Sequence, residues 1–283
     1  MSPTMNKKVL VSGTRYFSVQ ALNPYSDPAN QPNPEVAATE HASVVSALQS
    51  AGVEVVKVPE PQDCQDGVYT ANWGLVKDNT VVLSYLPNMR RGEQPYAEQV
   101  LRDMGYEVIK APYRFSGQGD ALPCGNYLFC GSVYRTDPLM HEFLAGELGY
   151  EVVGLQTVPA VDSNGQAITN KITGWPDSFF YDIDLAISVL TPNLIAWCPN
   201  AFTPESQEKI RALPMEKIEV SGAEATEGFA CNLVSTGETV VMSANAPELK
   251  AAIEAKGLKT ITPQITELAK GGGYIRCTTL TLS

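Results

Sequence analysis

Five times along this chain an amphipathic stretch runs into a short apolar strand and then towards a hairpin. The amphipathic stretches begin near Glu35, Glu93, Asp137, Thr203 and Ala246, and the strands follow at Glu54–Val58, Tyr106–Lys110, Tyr150–Leu155, Lys217–Val220 and Lys259–Thr262. The hairpin segments read DGVYTANWGLVKDNTVVLSY, GDALPCGNYLFCGSVY, FFYDIDLAISVLTPNLIAWC, GFACNLVSTGETVVMSA and GGGYIRCTTLTL. The last of these has only one strand, and VLVSG at Val9–Gly13 supplies its partner. A recurrence of roughly fifty residues built from one supersecondary unit predicts a closed ring of α/β units whose last member is shared by the two termini. A functional site is then expected on the axis, where equivalent hairpins converge. Because the repeat runs from end to end, residues 1–283 are expected to form one domain.

Composition narrows the function classes. A net charge of -11 argues against a nucleic-acid surface or an anionic membrane surface as partner. No apolar run approaches the roughly 20 residues of a membrane span, and the N-terminus lacks the charged-then-apolar form of a secretory signal. Six cysteines without CxxC or CxxH spacing suggest reduced thiols in a cytoplasmic protein, not a disulfide frame or a zinc site. Only His41 and His141 are available as imidazole bases or ligands. With histidine scarce and no phosphate-loop spacing, no metal, nucleotide or organic cofactor is expected. Two loops stand out. ALNPYSDPANQPNP near the start is too long for an ordinary connection, and Val161–Pro176 is a polar, turn-rich insertion beside the third hairpin. Loops of this kind often cover sites.

Taken singly, the residues that could do chemistry leave alternatives open. Cys277 follows three glycines and an arginine at the start of the last hairpin, and reads either as a buried strand thiol or as a nucleophile. Asp66 and Asn72 lie six apart, on one face if the strand is regular, yet Asp and Asn are also ordinary turn formers. Asp182 and Asp184 alternate with Tyr181, Ile183 and Leu185, which sets two carboxylates on one side of an apolar strand. Neighbouring buried acids are costly without a cation to meet them, so this pair points to a cationic ligand.

Set together, the segments resemble the guanidino-group-modifying superfamily, which includes arginine deiminase, dimethylarginine dimethylaminohydrolase, glycine amidinotransferase and arginine dihydrolase. The likeness spans the whole chain and is nearest to arginine dihydrolase-like proteins. It implies an α/β propeller of five ββαβ units, the pentein fold. Asn23 in LNPY is similar to the family's INP start, and DGVYTANWGLV resembles D-x-V-F-T-A-N-A-G-L-V, which puts Asp66 and Asn72 at substrate-contacting positions. RRGE at Arg90–Glu93 falls at the family's arginine-rich turn, so that Arg90 or Arg91 is implied to help bind the substrate. YRTD at Tyr134–Asp137 resembles R-T-[DN], which implies that Arg135 holds the substrate carboxylate. GQGDAL is similar to G-x-G-D-A-L and contributes Asp120, while GGGYIRC matches the segment of the nucleophilic cysteine, here Cys277.

Two departures accompany these matches. Where the family has its acid/base histidine in Y-H-x-D, this chain reads Tyr181-Asp182-Ile183-Asp184, and where F-E-G-x-G-D carries the orienting glutamate it has Ser116. In the family a thiolate attacks the guanidinium carbon, histidine protonates the leaving amine, and the covalent thiouronium is hydrolysed or passed to an acceptor amine. An ionised Asp182 would oppose thiolate formation and push the thiol above its reference value of about 8.5. An active protein would therefore need a cationic substrate to favour the thiolate, or a protonated Asp182 as the donor to the leaving group. The expectation is a cysteine-dependent hydrolase or amidinotransferase-like enzyme for a small arginine-like molecule, with a non-catalytic ligand-binding protein of the same fold as the alternative. A homodimer is compatible with a ring carrying exposed helices.

Overall fold

The structure is a computed structural model and describes residues 5–283. Its elements follow the repeat. The first are β1 (Lys8–Ser12), α1 (Pro34–Ser50) and β2 (Glu54–Val58), then β3 (Gly74–Lys77), β4 (Thr80–Leu83), α2 (Glu93–Asp103) and β5 (Glu107–Lys110). Next come β6 (Ala121–Cys124), β7 (Tyr127–Gly131), α3 (Leu139–Leu148) and β8 (Glu151–Leu155), followed by β9 (Ile187–Thr191), β10 (Leu194–Trp197), α4 (Pro204–Ala212) and β11 (Glu216–Glu219). The chain ends with α5 (Gly222–Thr226), β12 (Val234–Ser235), β13 (Thr239–Val241), α6 (Pro247–Ala255), β14 (Lys259–Ile261) and β15 (Leu280–Thr281).

These strands form five three-stranded sheets with one plan: an inner strand antiparallel to a middle strand, which is parallel to an outer one. The fifth sheet joins the two ends of the chain. β15 pairs with β1 through Val9↔Thr281 and Leu10↔Leu280, and β1 pairs with β2, as the unpaired last hairpin predicted. Neighbouring sheets meet through their inner strands, β15 against β3, β6 against β9 and β9 against β12.

Local chemistry explains the helix starts. Proline occupies the first turn of α1, α4 and α6, where a missing N–H costs nothing. Asn33 caps α1 by accepting from the amides of Glu35 and Val36. The short α5 had no sequence forecast; its Glu224 caps α6 by accepting from Glu248 N and Leu249 N. Each long helix covers its sheet with one stripe. On α2, Ala97 and Leu101, one turn apart, are fully buried against Val81 and Leu83 of β4, and a Leu side chain so buried contributes about 2 kcal/mol.

The strand boundaries differ from the sequence reading at the inner strands. Asp66 and Asn72 do not share a strand face, because Thr70–Trp73 is a 3-10 turn. Asp184 likewise lies in a 3-10 turn over Ile183–Leu185, which the extended Asp182 leads into, and Cys277 lies in a turn with Thr278 N bonded to Tyr274 O and Thr279 N to Arg276 O. The same kind of turn precedes β6 at Gly117–Gly119 and β12 at Phe229–Asn232. Each inner strand is thus entered through a tight turn that rotates polar side chains away from a regular pleat. Those turns build the site.

Candidate active site

Cys277 is buried, with Sγ donating to Asp184 Oδ2 at 3.2 Å and meeting Asn232 Nδ2 at 3.2 Å. Asn232 Oδ1 accepts from the amides of Cys277 and Tyr274, so one side chain fixes both the thiol and the turn that carries it. The three glycines before this turn are needed for space. Gly272 has a positive φ of 86°, and a Cβ there would meet the Asn23 amide group at 2.5 Å, while one at Gly273 would meet Cys277 Cβ at 2.9 Å. Asn23 itself donates to Gly271 O and accepts from Tyr25 N, clamping the N-terminal loop onto the glycine segment.

Beside the thiol stands a group of buried acids. Asp182 Oδ2 accepts from Asn72 Nδ2 at 2.8 Å, while Asp182 Oδ1 and Asp184 Oδ1 are buried without a partner. Asp120 Oδ1 accepts from Ile183 N at 2.9 Å and so holds the Asp182–Asp184 turn in place. Burial raises the pKa of Asp184, and the charge of Asp182 adds to it; burial also raises Asp120 and Asp182, with Arg135 and Asn72 drawing Asp182 back down. Cys277 is pushed well above the ordinary thiol range, first by burial and then by Asp184.

Arg90 organises the acids without being free to bind a ligand. Its Nε and Nη2 donate to the two oxygens of Glu93, each at 2.7 Å, Nη1 donates to Asn72 Oδ1, and Nη2 also reaches the carbonyls of Asp66 and Tyr69. This pairing differs from the expected contact with substrate, because Glu93 one helical turn on satisfies the guanidinium bidentately. Arg91 is not brought to the cluster. It is exposed, stacked at 4.9 Å over the Tyr85 ring, and bonded to Tyr85 Oη. Arg135 donates to Leu22 O at 2.7 Å and lies 4.7 Å from the centre of the Tyr181 ring. Asp66 sits 3.8 Å from Arg90, and burial raises its pKa to about 6.

Neither histidine joins this group. His41 in α1 is half-buried, and desolvation lowers its pKa to about 4. His141 in α3 bonds through Nε2 to Gly131 O. Both predicted loops do meet near Arg135: Asn170 donates to Ala21 O, one residue from the carbonyl that Arg135 holds.

Sequence reasoning missed two residues here. Asn232 could have been found, since GFACNLV repeats the arrangement of TANWGLV with Asn two residues before an inner strand. Tyr25 carried no such signal; its ring packs against Phe179 and Phe229 at 4.2 Å and 4.7 Å, and its buried hydroxyl has no partner. Burial raises its pKa, and the thiols Cys231 and Cys277 raise it further.

Comparison with known proteins places this geometry in a family. The model of the family described as N,N dimethylarginine dimethylhydrolase, eukaryotic, matches residues 20–283. The chain belongs to that family. It is 31% identical over 267 residues to the N(G),N(G)-dimethylarginine dimethylaminohydrolase of Mycobacterium tuberculosis, covering 94% of this chain and 82% of that protein. It is 32% identical over 222 residues to the bifunctional arginine dihydrolase/ornithine cyclodeaminase AgrE of Nostoc, but that match spans only 29% of the longer relative. Among solved structures, the N-terminal domain of ArgZ, a cyanobacterial arginine dihydrolase bound to product, superposes with a TM-score of 0.86 at 27% identity, covering 98% of this chain and 97% of that one. Membership in the guanidino-group-modifying superfamily, expected from the motifs, is therefore established.

Proposed function

We propose that this protein is a cysteine hydrolase for a C–N bond in the guanidino or amidino group of a small arginine-like molecule, working through a covalent intermediate on Cys277. The observation that carries this reading is the seating of Cys277 Sγ between Asp184 Oδ2 and Asn232 Nδ2, both at 3.2 Å, beside a group of buried acids. Such acids favour a cation. A guanidinium laid over the thiol supplies the positive charge that an imidazolium would otherwise supply, lowering the cost of the thiolate and of ionised acids together.

The thiol proton passes to Asp184 as the S–C bond forms. The C–N bond to the departing amine then breaks while Asp182 protonates that amine, its unpartnered Oδ1 being the oxygen left free for a proton. Water attacks the thiouronium carbon, the C–S bond breaks to release the thiolate, and the proton lost by water returns to the acids. Arg135, which spends one donor on Leu22 O, keeps its other N–H groups for a substrate carboxylate, with Asp66 near the cationic end. Asn23, Asn72, Arg90 and Asp120 act by holding these groups in position.

The finer architecture belongs to the same proposal: the sheets close into a five-membered pentein ring over one domain. Asn6 supports the closure, since it donates to Ser235 O in β12 and accepts from Thr281 Oγ1 in β15, joining the β12–β13 hairpin to the sheet that holds both ends of the chain. A second reading, a binding protein without turnover, draws on the absence of an imidazole from the site.

The test is release of ammonium or free amine from arginine, methylated arginines, citrulline, agmatine and guanidinoacetate, for the protein and its Cys277→Ala variant. Release that vanishes in the variant supports the enzyme. Release that persists in the variant refutes a Cys277 intermediate, and a protein that binds these compounds without turnover is the second reading.

A further inference from the structure

A cavity of about 480 Å³ opens between the hairpin turns, at the opposite ends of the inner strands from Cys277. Its rim includes Lys77, Asp78, Asn126 and Ser283, and Val76, Leu122, Ile187 and Leu233 form apolar walls. At its floor lie Gln118, Asp184, Ser188 and Arg276. Arg276 is 6% exposed. Its Nη1 donates to Thr281 Oγ1 and its Nη2 to Gln118 Oε1, both neutral acceptors at 2.8 Å. Among the described residues no carboxylate comes within ion-pair distance of it, and Asp184 on the same lining attracts it only from farther off. Its Nε is buried with no acceptor, and so are Ser188 Oγ and Asp184 Oδ1 on the same lining.

A guanidinium taken out of water without a counter-charge is costly, and a buried donor left unpaired adds to that cost. The missing partner is negative and small, and it has apolar surface to lie against. We propose that this cavity is a binding site for a small organic carboxylate, its oxygens taking the Arg276 Nε–H and the Ser188 hydroxyl and its aliphatic part contacting Leu122, Ile187 and Leu233. Burial raises the pKa of Asp184 and the charge of Asp182 adds to it, which lessens the repulsion of an anion beside its free oxygen. The site is separate from the one around Cys277 and shares only Asp184 with it. An occupant would therefore act on the candidate active site through the carboxyl group that holds the thiol.

The proposal does not rest on catalysis and is tested by binding. Thermal stabilisation of the full chain in chloride-free buffer is titrated with hexanoate, acetate and inorganic phosphate. Hexanoate should saturate at the lowest concentration. Its half-saturating concentration should rise about tenfold or more in Arg276→Gln, which removes the charge, and in Val189→Trp, which enlarges a side chain of the cavity lining and leaves Arg276 in place. Val189→Trp keeps the test open if Arg276→Gln fails to fold. The Arg135→Ala variant, altered on the other side of the molecule, should titrate as the parent does. Stabilisation that is lost in Arg135→Ala, or that is equal in all variants, overturns the proposal, as does phosphate saturating below hexanoate.

Discussion

Asp66 is held in the fold against its own ionisation, and Asp66→Asn measures by how much. Burial raises its pKa to about 6 from 3.8, with Arg90 drawing it down and Glu93 pushing it up. The folded protein therefore binds more protons than the unfolded chain between about pH 4 and pH 6, and stability falls as pH rises through that window. The gap corresponds to about 3 kcal/mol lost in full above pH 6 and absent below pH 4. An uncharged isostere escapes this penalty. Asp66→Asn should be more stable than the parent by up to about 3 kcal/mol at pH 7.5, about 5 °C in melting temperature for a chain of this size, and should converge with it near pH 4. Urea unfolding at several pH values reads both quantities. A variant that is less stable at pH 7.5, or an advantage that does not change with pH, would show that the Arg90 attraction outweighs burial and would refute the argument. The expected gain in stability should come with weaker binding of a cationic ligand. A carboxylate proposed to meet the cationic end of a ligand, and held at such a cost, would be a stability–function trade-off in one residue.

Three further perturbations probe the frame of the site. Arg90→Ala leaves Glu93 buried without a counter-charge, held only by Trp73 Nε1, and strands Asn72 Oδ1, and should lower stability by about 3–5 kcal/mol in denaturant unfolding, whereas Arg91→Ala at the exposed neighbour should change it little. Asn232→Ala strands the amides of Cys277 and Tyr274, a loss of about 1–3 kcal/mol for each buried donor by the same measurement. Asp182→His places an imidazole beside the thiol, and alkylation of Cys277 by iodoacetamide at pH 7, followed by peptide mass spectrometry, should run about tenfold faster or more; an unchanged rate would mean that Asp182 does not govern the thiol.

Much of the architecture was legible because its causes are local. Prolines at Pro34, Pro204 and Pro247 and the Asn33 cap mark helix starts by chemistry contained within a few residues, and α3 began only two residues after its forecast at Asp137. The pairing of Val9–Gly13 with the last hairpin followed from counting strands, and β1, spanning Lys8–Ser12, pairs there through Val9 and Leu10. The turns that enter the inner strands were illegible because long-range contacts set them. Asp120 holds Ile183 N from 63 positions away in sequence, and Asn72 is fixed between Arg90 and Asp182, 110 positions on. Alternation of Tyr181, Ile183 and Leu185 mimics a strand, and nothing within those residues reveals that Asp120 will turn them. Arg90 and Arg91 look alike in RRGE. Only the placement of Glu93 at the start of α2 separates the buried one from the exposed one.

The missing imidazole splits one task into two. In a thiol–imidazolium pair, a single group both favours the thiolate and protonates the leaving amine, and it does so whether or not substrate is bound. Here burial and then the acids around Cys277 oppose the thiolate, so on the proposed mechanism the favourable charge arrives with the ligand. Asp120, Asp182 and Asp184 repel one another and cannot all be ionised in a buried site, which leaves a proton available to a departing amine without any histidine. Such a site discriminates by charge before it discriminates by shape. On the proposed mechanism agmatine and arginine, which bring a guanidinium, should switch the thiol on, whereas citrulline, whose ureido group is neutral, should leave it protonated.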